Sequence, residues 1–510
     1  MKKIFLLAGL LAVALSGLWG PLGRPQQRSA AEPAAAYEAE QKNPPNDKSE
    51  GARIARIENG LMSASQIRGQ APKRMTIADR MQFYKVPGVS VAFFAQGKIS
   101  WARGYGYADL ASKKPVTPET LFQAASISKP VASLAVLRLV EDGKLSLDED
   151  VNVKLKSWKV PENKFTTEQK VTLRRILSHS AGTTVHGFAG YAADEPVPTV
   201  VQVLNGEKPA NSEPVRVDVV PGTIFRYSGG GMTIMQLLLT EVTGQPFPQI
   251  VEELVLRPAG MRHSGYRQPL PEALRASAAT PYRDNGDLVP GGPHTYPELA
   301  AAGLWTTPSD LGRVAIELKK EYDGVSSKIL SKAMARRMLS HQKDDYGLGF
   351  GLESPGKTPH FGHGGANEGY RCLVTTFTES GEGIAIMTNS DSGGSLIEEI
   401  LLSVAHEYGW PEPLPAEHTL GKANAAALPA HAGTYEGPDI GKLVFTAKDG
   451  KLFVQAEFLG PAARELYPES DAKFFLLSHN ITFSFEKDEK ESGAKVVIEA
   501  GRTFEAKRLP

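Results

Sequence analysis

A single cysteine, Cys372, stands in a chain of 510 residues. A chain with one thiol folds without an internal disulfide, and the expectation for Cys372 is a small buried apolar side chain. Neither charge is in excess. Lys plus Arg and Asp plus Glu are 57 each, the net charge is zero, and no basic run stands out, so nucleic acid is not expected as a partner. No G-x-S-x-G occurs, which sets aside the strand-to-helix nucleophile turn of the α/β-hydrolases. No cysteine follows Leu15-Ser16-Gly17, which excludes a lipoprotein anchor.

What is present begins with Lys2 and Lys3 ahead of an apolar run from Ile4 to Leu18, with Ala14 and Ser16 at a cleavage-like position. Residues 1–23 are expected to be a signal peptide, or else an uncleaved N-terminal anchor. The expected location is therefore exported, periplasmic or extracellular. Residues 24–52, rich in Ala, Pro, Glu, Gln and Lys, have no hydrophobic period and read as a linker. At this length one core does not suffice, and a large domain with an appendage is expected. The large domain is placed at 53–410, a second linker at 411–427, and a C-terminal run of short β segments at 428–510. Those segments, LVFTA, LFVQAEF, FFLLS, ITFSFE, KVVIEA and TFEAKRL, suggest a small barrel or sandwich.

Within the large domain, VSVAFFA and ISWARGYGY flank Gln96-Gly97-Lys98 as a hairpin. The segment FQAASISKPVASLAVLRLVEDG, 122–143, follows. Its apolar residues Ile127, Val131, Leu134, Ala135 and Leu139 recur at helical spacing, and Gly143 suits the helix end. Ser126 and Lys129 then stand one turn apart on one face, at the helix end whose dipole is positive. An amine there can take a proton from a hydroxyl. The tetrapeptide S-x-x-K also begins at Ser340, Ser354, Ser470, Ser484 and Ser492, so its place at the head of an apolar helix distinguishes Ser126. Each residue also has a plainer role open to it. Ser126 suits a helix cap, Lys129 a solvated first turn, and Tyr227 a half-buried aromatic.

Two further motifs follow in order, Tyr227-Ser228-Gly229 about a hundred residues on, and His363-Gly364-Gly365 beyond it. With Ser126-Ile127-Ser128-Lys129 they resemble the serine β-lactamase and penicillin-binding-protein superfamily, in its class C-like esterase, D-aminopeptidase and carboxypeptidase branch. LSHSAGT, VTGQPF and GLWTTPSDL look like stretches of the same group, and the likeness covers roughly 54–410. The resemblance implies an α+β fold: an antiparallel sheet flanked by helices, with a helical subdomain. The C-terminal β segment resembles the small barrel that some members carry after it.

The resemblance also implies an acyl-enzyme on Ser126, with Lys129 and Tyr227 managing protons and His363 assisting. The Ser126 and Ala366 amides would bind the oxyanion. Gly364, Gly365 and Ser228 would line the substrate, the glycines letting its backbone lie against the strand. No cofactor is implied. His360 and His363 form an H-x-x-H pair without further ligands in view, so a metal site is not expected. Gly229 replaces the asparagine of the commoner Tyr-x-Asn, and His363 replaces a commoner lysine. Both departures point away from efficient β-lactam turnover and from free carboxylates, and leave esters, amides and small or D-configured peptides open. The irregular stretch 185–221, with His186 and Tyr191 as contacts, is the candidate specificity wall. The rival reading is a non-catalytic, penicillin-binding-protein-like relative that binds peptidoglycan-like ligands or partner proteins through the cleft and the β domain.

Overall fold

The computed structural model describes residues 47–509 apart from 354–356, 439, 460–462 and 489–492. The expectations for 1–46 lie outside the described residues. The described chain forms two compact units, Val86–Gly393, and 47–85 together with 394–509.

The first unit is built on seven antiparallel strands: β1 Gly88–Ala95, β2 Lys98–Asp109, β3 Lys114–Pro115, β4 Gly351–Leu352, β5 His360–Asn367, β6 Tyr370–Phe377 and β7 Gly383–Thr388, in the order β3-β2-β1-β7-β6-β5-β4. Gln96 and Gly97 both take positive φ, 52° and 70°, which is the hairpin turn expected between β1 and β2. β1 and β7 are buried on nearly every residue, so they lie at the centre of the sheet. Helix α3, Pro308–Asp323, packs on this sheet, with Gly312 close against Phe94 and Ile99. Thr307 caps it through its side chain.

The helical part centres on α1, Ser128–Glu141, and α2, Gly229–Thr243. The helix expected from its period is buried on eleven of its fourteen residues. It is a central core helix, packed between the rest of the helical part and the sheet-side residues. The stretch 185–221 is not wholly irregular. It contains a helix, Val200–Asn205, closed by a capping box between Thr199 and Gln202.

In the second unit eight strands close a barrel: β8 Gly433–Gly437, β9 Gly441–Lys448, β10 Lys451–Ala456, β11 Arg464–Pro468, β12 Lys473–Phe475, β13 Thr482–Asp488, β14 Gly493–Glu499 and β15 Thr503–Arg508. Tyr435, Phe445, Val454, Leu466, Phe483 and Ile498 are among the residues that fill its core. The supposed linker 411–427 carries a strand, Ala416–His418, paired in parallel with Ser65–Ile67. In the same unit the guanidinium of Arg80 grips the buried Glu399 carboxylate at 2.7 and 2.6 Å, and the Tyr84 hydroxyl adds a third bond at 2.8 Å. The fold is thus α+β with an antiparallel sheet and helices, followed by a closed β-barrel.

Candidate functional site

Ser126 sits in a 3₁₀ turn, Ala125–Ile127, that leads directly into α1. From Thr120 to Leu137 it is the one residue that is not buried. The N-cap positions of this turn and of α1 fall on Ala124 and Ile127, so the capping role does not apply to Ser126. Ala125 before it holds φ at 49°, a left-handed conformation that costs a residue with a β-carbon about 1 kcal/mol or more. The surroundings fix this turn. The Leu304 amide donates to Ser128 Oγ at 3.0 Å, the Tyr266 hydroxyl to the Ser128 carbonyl at 2.6 Å, and the Ala124 amide to the Leu304 carbonyl at 2.8 Å.

Lys129 is 3% exposed, and its Nζ lies 2.9 Å from Ser126 Oγ and 2.9 Å from the Ala301 carbonyl. Burial pushes the amine down to about 7. A neutral amine fits both contacts: one N–H donates to Ala301, and the lone pair accepts the Ser126 hydrogen. The same Nζ sits 4.9 Å from the centre of the Tyr227 ring. Tyr227 is buried at the foot of α2. Burial raises its phenol well above the usual value, against a smaller pull from the Ser126 hydroxyl, so Tyr227 keeps its proton at neutral pH.

Three histidines surround Tyr227, with ring centres 4.3 Å (His179), 4.9 Å (His186) and 6.1 Å (His363) from its own. Burial, then the charge of Lys129, lowers His363 to about 3 and His186 to about 4, and lowers His179 strongly as well. All three are neutral rings at pH 7. His363 makes no hydrogen bond to Ser126 or Tyr227. Its Nε2 lies 3.0 Å from the Tyr346 hydroxyl and its Nδ1 2.6 Å from the Gly364 carbonyl. Tyr346 in turn packs edge-on against His179, 4.9 Å between centres. Sequence reasoning missed both Tyr346 and His179. LSHSAGT had marked the second as a recurring stretch, and no spacing marked the first.

The remaining predicted residues divide between the cleft and the scaffold. A β-carbon on Gly364 would meet only the Cys372 carbonyl, at 3.8 Å, so that face of the strand is open. Gly365 is different: a β-carbon there would run into the Ala124 carbonyl and the Cys372 sulfur. Its bareness lets β5 press against the nucleophile turn, a purpose other than the substrate approach expected of it. Ala366, between them and Asn367, is exposed, and Asn367 Nδ2 reaches Gln123 Oε1 at 2.7 Å. Ser228 is buried, with its hydroxyl donated to the Thr184 carbonyl at 2.7 Å while it accepts from the Gly231 amide at 3.0 Å. Those bonds make it a cap for α2 and leave no donor for a substrate. His360 faces Glu353 at 3.4 Å, and no cluster of metal-ligating residues occurs among the described residues. Cys372 is buried, its thiol 3.1 Å from the Ala124 carbonyl.

A hydroxyl bonded to a buried neutral amine, with a protonated phenol beside both, has the parts for acyl transfer through a covalent intermediate. The sequence model of the beta-lactamase family matches residues 74–404. Penicillin-binding protein 4* of Bacillus subtilis is 23% identical over 450 residues, 81% of this chain and 93% of that protein. The D-aminopeptidase of Brucella anthropi is 25% identical over 407 residues, 77% of this chain and 72% of its own. Esterase EstB of Burkholderia gladioli is 31% identical over 208 residues, 38% of this chain and 50% of its own. Among solved structures, the octameric penicillin-binding protein homologue from Pyrococcus abyssi shares the fold at a TM-score of 0.57 and 23% identity, over 84% of this chain and 98% of that one. A family match that runs from before β1 to beyond β7 is the length of the whole sheet and its helices, and the chain belongs to the beta-lactamase family, as a serine hydrolase.

Proposed function

We propose that the protein hydrolyses esters or amides through an acyl-enzyme on Ser126. The observation that carries this reading is the 2.9 Å bond between Ser126 Oγ and a lysine that burial brings to about 7. As Oγ attacks the substrate carbonyl, its proton passes to Lys129 Nζ. When the tetrahedral intermediate collapses, the leaving group departs with a proton from the Tyr227 hydroxyl, which Lys129 replaces. Water then attacks the acyl-enzyme, its proton passing to neutral Lys129 through the Tyr227 hydroxyl, and Lys129 returns that proton to Ser126 Oγ as the acyl bond breaks. The amides of Ser126 and Ala366 hold the oxyanion in this scheme.

The substrate class follows from what the site does not offer. His363 is neutral and committed to Tyr346 and Gly364, so it supplies no charge for a carboxylate. Gly229 offers no amide to an acyl side chain. Both features favour esters or uncharged amides over β-lactams, and the esterase and D-aminopeptidase among the relatives have names of the same kind. With its leader-like N-terminus the protein is proposed to act outside the cytoplasm.

The test is mass spectrometry of the purified protein after incubation with a fluorophosphonate, and separately with a penicillin. A fluorophosphonate adduct on Ser126, absent in Ser126→Ala and reduced in Lys129→Ala, is the expected result. A folded protein that reacts with neither reagent would sink the reading and leave a ligand-binding role.

A further inference from the structure

An acyl group on Ser126 has to lie against whatever lines the Tyr227 side of the nucleophile. On that side lies the segment 184–191, whose His186 ring is 4.9 Å from the Tyr227 ring, and its backbone is fixed from both sides. The Gly229 amide donates to the His186 carbonyl at 2.9 Å, and the Gly230 amide to the Val185 carbonyl at 3.0 Å. Further along, Tyr191 exchanges two bonds with Thr295, at 2.9 and 2.8 Å, and Asn211 Nδ2 donates to the Gly190 carbonyl at 2.9 Å. Val185 is held at φ 61°, so the chain turns sharply before presenting two half-buried rings, His186 and Phe188.

The Phe188 ring has a specific seat. Its Cε2 is 2.9 Å from the point where a β-carbon on Gly229 would stand, and its Cδ2 is 3.4 Å from that point. The ring therefore fills the volume that a side chain two residues after Tyr227 would otherwise take. Several cations of this unit are already engaged. Arg226 is paired with Asp218, Arg283 with Glu368 and Asp391, and Arg371 with Asp391, while Lys129 is engaged with Ser126.

We propose that Phe188 is the specificity-determining residue of this hydrolase: its ring, seated against Gly229, limits the site to short, uncharged, apolar acyl groups. The proposal rests on the acyl-enzyme reading above. Each methylene that fits an apolar pocket changes kcat/KM by about tenfold or more, so a ring that shortens the pocket by a few carbons has a measurable effect.

The experiment uses the full chain and p-nitrophenyl esters from acetate to octanoate. For the unaltered protein, kcat/KM is expected to fall about tenfold or more between butyrate and octanoate. Phe188→Ala should raise octanoate about tenfold while acetate stays within about threefold, with Phe188→Leu between the two. Gly229→Ala should act the other way, since its β-carbon displaces the ring toward the acyl group. A chain-length profile unchanged in both Phe188 variants, with Ser126 still labelled by the fluorophosphonate, would overturn the proposal and leave the acyl-enzyme standing. Failure of Ser126 to label in the unaltered protein would remove the acyl-enzyme, and this inference with it.

Discussion

His363 accepts a hydrogen bond from Tyr346. The 2.6 Å contact between His363 Nδ1 and the Gly364 carbonyl is too close for two lone pairs, so Nδ1 carries the proton. A neutral ring has one N–H, and the 3.0 Å partner of Nε2 must therefore supply the hydrogen. The Tyr346 hydroxyl also lies 3.1 Å from the Gly349 carbonyl and shares its hydrogen between the two acceptors. His363 is thus left with nothing to donate into the cleft, and it is a positioning residue that acts through β5 and Tyr346.

The tautomer can be read directly. Imidazole ¹⁵N spectra should show Nε2 of His363 unprotonated from pH 8 down to about 5, with the ring charging only near 3, as its burial directs. Tyr346→Phe should remove about 1 kcal/mol or somewhat more of stability and lower kcat with little effect on KM. A doubly protonated His363 at pH 6 would refute the assignment.

The rate should climb through neutrality. Lys129 must be neutral to accept the Ser126 proton, and burial sets its value at about 7. Hydrolysis of an uncharged ester should therefore show kcat/KM rising with pH and levelling above about 8. The surrounding histidines titrate far below this and add no second step there. Lys129→Arg should cost about 10²–10⁴-fold and abolish the step. A rate already flat from pH 5 would exclude Lys129 as the base.

Gly364 and Gly365 should respond differently to the same change. Gly364→Ala adds a methyl to open space, whereas Gly365→Ala drives β5 away from the nucleophile turn. The expected loss for Gly365→Ala is about 10²-fold or more in kcat, the scale of a misplaced oxyanion donor. Equal activity in the two variants, measured on one ester, would contradict the close packing.

Glu298 is buried with both carboxylate oxygens unpartnered among the described residues, and burial raises it to about 8. Its folded value exceeds its unfolded one, so the unfolded chain loses this proton first as pH rises. Stability from this group is therefore complete below about pH 4 and falls between there and about 8. Glu298→Gln should flatten that decline, with a gain in melting temperature that is larger at pH 8.5 than at pH 5. A constant difference across that range would mean Glu298 is already ionised when folded. Glu321 and Glu398, raised to about 7 and about 8 by burial, contribute slopes of the same sign that the variant leaves in place.

The Arg80–Glu399 pair should be costly to break and cheap to replace. Arg80→Ala strands a carboxylate that is 1% exposed, with an expected loss of about 3–5 kcal/mol. The double change Arg80→Met with Glu399→Leu should fall within about 1–2 kcal/mol of the original in thermal unfolding. If the double variant were as unstable as the single one, the pair would be a net source of stability.

The Ser126 turn was legible because local signals coincide there: an apolar period of 3.6, a small-residue entry and a glycine stop. Its strained Ala125 was not, since alanine gives no sign of a left-handed φ. Tyr346 was invisible for another reason. Its partner His363 is 17 residues away across a loop, and only the antiparallel return of the sheet brings them together. Phe188 had one trace in the sequence, the missing side chain at Gly229, and what filled that space depended on a loop about forty residues earlier. The barrel was recognised from six strands. The two that escaped, β8 and β11, are five residues each and contain or end in glycine or proline. Ala416–His418 is too short to show a period, and its partner lies at Ser65–Ile67.

The way the two sheets end bears on how the chain behaves among other chains. β15 returns to β8, so the barrel has no terminal strand. The seven-stranded sheet ends on two-residue strands at both sides, one of them Lys114–Pro115, where proline has no N–H and lysine brings a charge. The barrel therefore offers no edge to a passing strand, whereas the outer side of β2 is paired only at Tyr107 and Asp109. A closed barrel resists edge-to-edge aggregation and strand exchange even when the chain is concentrated, and the sheet is where such pairing would begin.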